Sequence, residues 1–254
     1  MRCLCIIMER SFHGLFPNND KVVIGMIHLA GRDREERVDR AVKEVMIYKE
    51  EGLGGFIVED YHGDVEDVEA VLEVLSENPT IPMGINVLSN PYLAFDLADD
   101  YGASFVQFDT IHASPGSPRN NRRFCEKKYL EMRDRYPKIV VLGGVVFKHV
   151  PLTGRTWDED IRDGVSKCEA IVTTGPGTGI ETPLSKLVGF RKIMDEISEG
   201  FPLVTGSGVS DLNVRDQLEV ADAAIVGSYF KGENTKFPVK RDLVRKLVDN
   251  IPYC

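Results

Sequence analysis

Val22-Val23-Ile24-Gly25-Met26-Ile27-His28 is an apolar run that stops at a histidine. Over about 34–51 the spacing changes, and Val38, Ala41, Val42, Val45 and Ile47 form a helical stripe. This strand-then-helix unit repeats along the chain. Further β-rich runs occupy 55–59, 82–87, 105–108, 139–146, 170–173, 203–206 and 223–227. Helical patterns fill 65–77, 91–101, 125–135, 157–165, 183–197, 213–218 and 240–250. Nearly all-apolar strands suit a parallel sheet covered on both faces. A doubly wound sheet would place a glycine fingerprint after its first strand, but Gly25-Met26-Ile27-His28 is not one. Eight units in 254 residues match an α/β (β/α)8 TIM barrel, which typically takes about 250. Residues 1–20 read as an N-terminal extension, and 21–254 as a single barrel domain.

Composition narrows the function classes. Lys and Arg number 31 against 40 Asp and Glu, a formal net charge of −9, which argues against a general nucleic-acid binder. No apolar run has the roughly 20 residues of a membrane span. The apolar Met1 to Met8 stretch lacks a cleavage site and leaves peripheral membrane association open. Five scattered cysteines make no disulfide framework and point to a reducing, cytoplasmic location. Cys168 reads as core. A homo-oligomer is expected.

Chemistry in such a barrel sits at the carboxyl ends of its strands. There the sequence places His28, Glu59, Asp60, Asn86, Gln107, Asp109, His112, Lys148, His149 and Thr174. Strand parity puts Ile24, Met26 and His28 on one face, and likewise Ile57 with Glu59, Gly84 with Asn86, and Gln107 with Asp109. Of the neighbours Lys148 and His149, only one can face inward if its strand extends that far. His28, Glu59, Asp60, Asp109, His112 and His149 could ligate a divalent metal, but no paired spacing requires one. The cofactor therefore stays unassigned.

Glycine loops follow the last three strands. Thr205-Gly206-Ser207-Gly208-Val209-Ser210-Asp211 reads as a strand, a tight turn and a helix start capped by Ser210 or Asp211. Gly227-Ser228 repeats the design. Loops at these positions commonly bind phosphate through backbone N–H groups. A third loop, Thr174-Gly175-Pro176-Gly177-Thr178-Gly179, reads as a phosphate-contacting or mobile cover.

Taken in order, several stretches resemble the BtpA family of photosystem I biogenesis proteins and their bacterial relatives. They are Val23 to Leu29, Ile57-Val58-Glu59-Asp60 with Gly63-Asp64, Gly84 to Leu88, and Lys148-His149. The Thr174 to Gly179 loop, Thr205 to Val209, and Ala224 to Ser228 with Lys231 and Pro238 complete the set. The resemblance spans about 22–248 and implies a phosphate-binding (β/α)8 barrel, without supplying an activity. The chain departs from the family pattern at Ala30-Gly31-Arg32-Asp33, at Asp109 to Ala113, and at Pro176.

Two functions fit. One is an enzyme acting on a phosphorylated sugar or nucleotide derivative. Glu59 or Asp109 would be its base, and Lys148 or His149 the acid or electrostatic partner. His28, Asn86, Gln107 and His112 would orient the substrate. Thr174, Gly175, Gly177, Thr178, Gly206, Ser207, Gly208, Gly227 and Ser228 would hold it. The other is a non-catalytic assembly factor for membrane complexes that keeps a vestigial ligand site.

Overall fold

The structure is a computed structural model that describes residues 10–17, 20–78, 81–112 and 124–252. Met1 to Met8, Cys3, Cys5, Ala113 and Cys254 lie outside the described residues. Eight parallel strands close into a barrel in sequence order. They are β1 (Val22–Ile27), β2 (Gly55–Glu59), β3 (Met83–Asn86), β4 (Phe105–Phe108), β5 (Val140–Gly144), β6 (Ala170–Thr173), β7 (Leu203–Thr205) and β8 (Ala223–Val226). A short helix, α1 (Phe12–Leu15), precedes β1. The intervening helices are α2 (Arg34–Glu50), α3 (Val65–Ser76), α4 (Leu93–Tyr101), α5 (Glu126–Arg135), α6 (Trp157–Val165), α7 (Leu184–Ile197) and α8 (Val214–Val220), with α9 (Arg241–Val248) last. None of the described helices is long and apolar enough to cross a membrane.

Alternation along each strand divides the core into two layers. Ile24, Met26, Ile57, Phe105, Leu142, Val172, Val204 and Ile225 pack together inside the barrel. Their neighbours Val23, Ile27, Val58, Ile85, Val106, Val141 and Ile171 face outward and pack under the helices. The register is continuous across the first strands: Met26 pairs with Ile57, Ile57 with Gly84, and Gly84 with Phe105. Two residues further along, the same inward faces carry His28, Glu59, Asn86 and Gln107, so parity delivers polar groups to one mouth.

Local chemistry sets the helix starts. Asp33 accepts a hydrogen bond from the Glu36 N–H to open α2. Capping boxes Asp64/Asp67 and Thr156/Glu159 open α3 and α6. At α8 the outcome differs from expectation. A turn over 210–213 comes first, and Asn213 is the cap, with no side-chain bond to the helix. Its amide instead accepts from the Ser210 N–H and donates to the Gly208 carbonyl, folding the glycine turn onto itself.

The N-terminal boundary also differs. Phe12 and Phe16 are buried and join the interior cluster, with the Phe16 ring 6.2 Å from that of Phe105. Residues 12–16 therefore seal the bottom of the barrel rather than standing apart from it. Aromatic side chains reaching a closed barrel end bury a large apolar area in few residues.

Candidate functional site

A cavity of about 900 Å³ opens at the carboxyl ends of the strands. Every candidate named from the sequence lines it except Asp60, Gly175 and Gly177. At its floor the β2, β3 and β4 strands present a bridged carboxylate pair. One Asn86 Nδ2 donates to Glu59 Oε1 at 2.9 Å and to Asp109 Oδ1 at 3.2 Å. Gln107 Nε2 stands 3.3 Å from the same Asp109 oxygen. His28 Nε2 is 3.9 Å from Glu59 Oε2.

Burial dominates the electrostatics. Desolvation, then the nearby Asp109 charge, pushes the Glu59 carboxyl up to about 8. Desolvation also raises Asp109, but Lys148, the Asn86 and Gln107 amides and His149 oppose that rise. Glu59 therefore keeps a proton at neutral pH. Burial, with Lys231 and Lys148 adding repulsion, holds His28 well below its usual range, so its imidazole is neutral. His28 Nδ1 and Gln107 Oε1 are buried without a hydrogen-bond partner.

Both Lys148 and His149 reach the cavity, because β5 stops at Gly144 and strand parity no longer applies. His149 has φ 61°. Above this turn, the Lys148 N–H donates to Thr174 Oγ1 at 2.6 Å. Lys186 Nζ bonds the Val146 and Thr174 carbonyls, each at 2.7 Å, tying the β5 and β6 loops together. Burial pushes the Lys186 ammonium down to about 8.

The β6, β7 and β8 loops form the opposite wall. Gly208 has φ +68°, and a Cβ there would meet Glu181 N at 2.2 Å. A bulky residue at Gly208 would thus displace the β6 loop as well as alter the mouth. Gly227 lies so close to His28 that a Cβ would stand 2.6 Å from the ring. The Ser207 hydroxyl donates to the Gly177 carbonyl at 2.7 Å, so that side chain serves loop packing. The Gly175 N–H bonds the Gly206 carbonyl, and Gly177 accepts from Ile180, which keeps both glycines off the cavity wall. By contrast, the amide N–H groups of Ser207, Gly208 and Ser228 donate to no described residue.

Two groups are tied into the framework. His112 is buried, with Nδ1 2.9 Å from Asp163 Oδ2. Asp60 accepts the Leu88 and Ser89 N–H groups at 2.6 and 3.1 Å, ordering the β3 loop. Among the described residues, no three His, Cys, Asp or Glu side chains gather closely enough to share a metal ion.

Three features carry roles that the sequence patterns do not assign. Lys231 is 1% exposed and pairs with Glu44 at 2.7 Å, while Glu44 also accepts the Val239 N–H. This pair anchors the turn after Ser228 to α2. Tyr61 stacks obliquely over His28, ring centres 5.2 Å apart. Tyr92, Phe124 and Lys128 build a third wall. A lysine three residues past a glycine-serine turn, and an Asn-Pro-Tyr after β3, are the only sequence signals for them.

Known proteins resemble this chain in sequence or in fold. An uncharacterized protein of Archaeoglobus fulgidus is 30% identical over 253 residues, covering 90% of this chain and 98% of its own. The photosystem I biogenesis protein BtpA of Synechocystis is 24% identical, over 82% of this chain and 80% of its own. Among solved structures, tryptophan synthase of Mycobacterium tuberculosis superposes with TM-score 0.65 at 16% identity, covering 94% of this chain and 96% of that one. Thiamine phosphate pyrophosphorylase of Pyrococcus furiosus gives 0.57 at 15%, covering 91% and 94%. These structural likenesses establish the barrel fold. The BtpA family model matches residues 19–252, so the chain belongs to the BtpA family.

Proposed function

We propose that the protein is an enzyme performing acid–base chemistry on a phosphorylated small molecule, a sugar or nucleotide derivative. The observation that carries this reading is the Asn86-bridged pair of Glu59 and Asp109 at the floor of the cavity, with Glu59 held protonated. Two carboxyls pushed apart in this way divide the roles of acid and base. Asp109 accepts a proton from the substrate, and Glu59 donates one to the developing anion. Lys148, whose charge acts on both carboxyls and on His28, stabilises negative charge formed between them. Neutral His28 and the amides of Asn86 and Gln107 orient the reacting carbon.

The phosphate would sit across the mouth on the Ser207, Gly208 and Ser228 amides. Backbone N–H groups gathered in a concave turn attract anions. Thiamine phosphate pyrophosphorylase, a fold neighbour, carries phosphate in its name, which agrees with a phosphorylated ligand. A cytoplasmic homo-oligomer that does not bind nucleic acid belongs to this reading, and the net charge of −9 supports the last point.

The alternative, an assembly factor with a vestigial site, draws on the name of the Synechocystis relative and would leave peripheral membrane contact to another surface. Turnover separates the two readings, and Ser228→Asp tests the phosphate placement. The Ser228 side chain makes no capping bond that aspartate would lose, and the substitution places a carboxylate against the phosphate. Binding of phosphate esters by calorimetry should weaken at least tenfold with melting unchanged. Undiminished binding would remove the phosphate from these loops.

A further inference from the structure

The wall facing the glycine loops has a different chemistry. In a ring of eight strands, β3 to β5 stand opposite β7, β8 and β1. There Pro91, Tyr92, Phe108, Phe124 and Pro151 line the cavity, with Lys128 at its lip. The Tyr92 hydroxyl is already used: it accepts the Cys125 N–H at 2.6 Å and lies 3.2 Å from the Cys125 carbonyl. Its ring is held edgewise to Phe108 at 5.9 Å, and Lys128 Nζ stands 4.6 Å from its centre. Phe124 is fixed against Tyr129 at 5.2 Å. The wall is therefore preset and largely aromatic, with the Lys128 ammonium over one face of the Tyr92 ring.

Size points the same way. About 900 Å³ lies near the top of the roughly 300–1,000 Å³ typical of ligand sites, far more than a bare sugar phosphate fills. Fixed aromatic faces bind planar π systems, and a lysine beside them favours an electron-rich or anionic edge.

We infer that this wall is a subsite for a planar heteroaromatic ring carried on the phosphorylated skeleton, so that the substrate is a phosphate ester with an aromatic substituent spanning the mouth. The inference rests on the proposed phosphate placement at the β7 and β8 loops. With the phosphate there, the linking carbons lie over Glu59 and Asp109, and the ring reaches Tyr92 and Phe124.

Calorimetry with ribose 5-phosphate, uridine 5′-monophosphate and adenosine 5′-monophosphate tests it, because the three share a phosphopentose and differ by the ring. At least one nucleotide should bind ten or more times tighter than ribose 5-phosphate. The Tyr92→Leu/Phe124→Leu double variant should bring all three within threefold while leaving ribose 5-phosphate affinity intact. Lys128→Met, an exposed change that spares the core, should weaken the tighter nucleotide at least threefold and leave ribose 5-phosphate unchanged. Equal affinities in the unaltered protein, or a nucleotide preference that both variants retain, would overturn the ring subsite and leave the phosphate placement standing. If ribose 5-phosphate and both nucleotides fail to bind, the phosphate reading itself falls, and the ring subsite with it.

Discussion

Replacing Glu59 by Gln should change how stability depends on pH. Glu59 ionises near 4.5 in the unfolded chain and at about 8 in the fold. Between those values the folded protein holds a proton that the unfolded chain has released. Raising pH through this window therefore favours unfolding, by up to about 1.4 kcal/mol per pH step. Across the whole window the Glu59 contribution is about 5 kcal/mol, fully present below pH 4.5 and lost as pH rises through 8. Glutamine keeps the shape and the Oε1 acceptor for Asn86 but cannot ionise, so this slope should vanish. Urea unfolding of both proteins at pH 5, 6, 7 and 8 reads the effect as a difference between two curves. Glu59→Gln should gain several kcal/mol on the unaltered protein from pH 5 to pH 8. Parallel curves would mean that the Glu59 carboxyl is not desolvated, and that the acid assigned to it is wrong.

Two further outcomes follow from the packing. Lys231→Met leaves the buried Glu44 carboxylate without its cation and should cost about 3–5 kcal/mol in denaturant unfolding; a change below 1 kcal/mol would show that the pair does not anchor the β8 turn. Phe16→Ala opens a hole at the sealed end of the barrel and should cost about 3–5 kcal/mol with phosphate-ester affinity unchanged; unaltered stability would place residues 12–16 outside the folded unit.

The barrel was legible because its evidence is periodic. Apolar runs ending in His28, Glu59 and Asn86 alternate with amphipathic stretches, and strand parity alone places those three side chains on the inner face. The Glu59 and Asp109 pair was accessible for the same reason, since both sit at strand ends. What escaped is non-periodic. Phe12 and Phe16 act through long-range packing that no local pattern encodes. Lys231 carries a charge, and its burial depends on Glu44, 187 residues away along the chain. Gly175 and Gly177 have the composition of a ligand loop, yet their backbone groups are bound to neighbouring loops. Lys148 and His149 escaped the parity rule because β5 ends before them.

In the proposed reaction Asp109 and Glu59 move protons on a phosphate ester held by the β7 and β8 loops. The most direct test is turnover, followed by mass spectrometry and phosphorus NMR, over a panel of sugar phosphates and nucleotides that bind the protein. The unaltered protein should convert at least one member. Asp109→Asn should slow that conversion by two decades or more, with dissociation constant and melting temperature unchanged. Conversion by Asp109→Asn at near the original rate, or a tightly bound panel in which the unaltered protein converts nothing, would contradict the account.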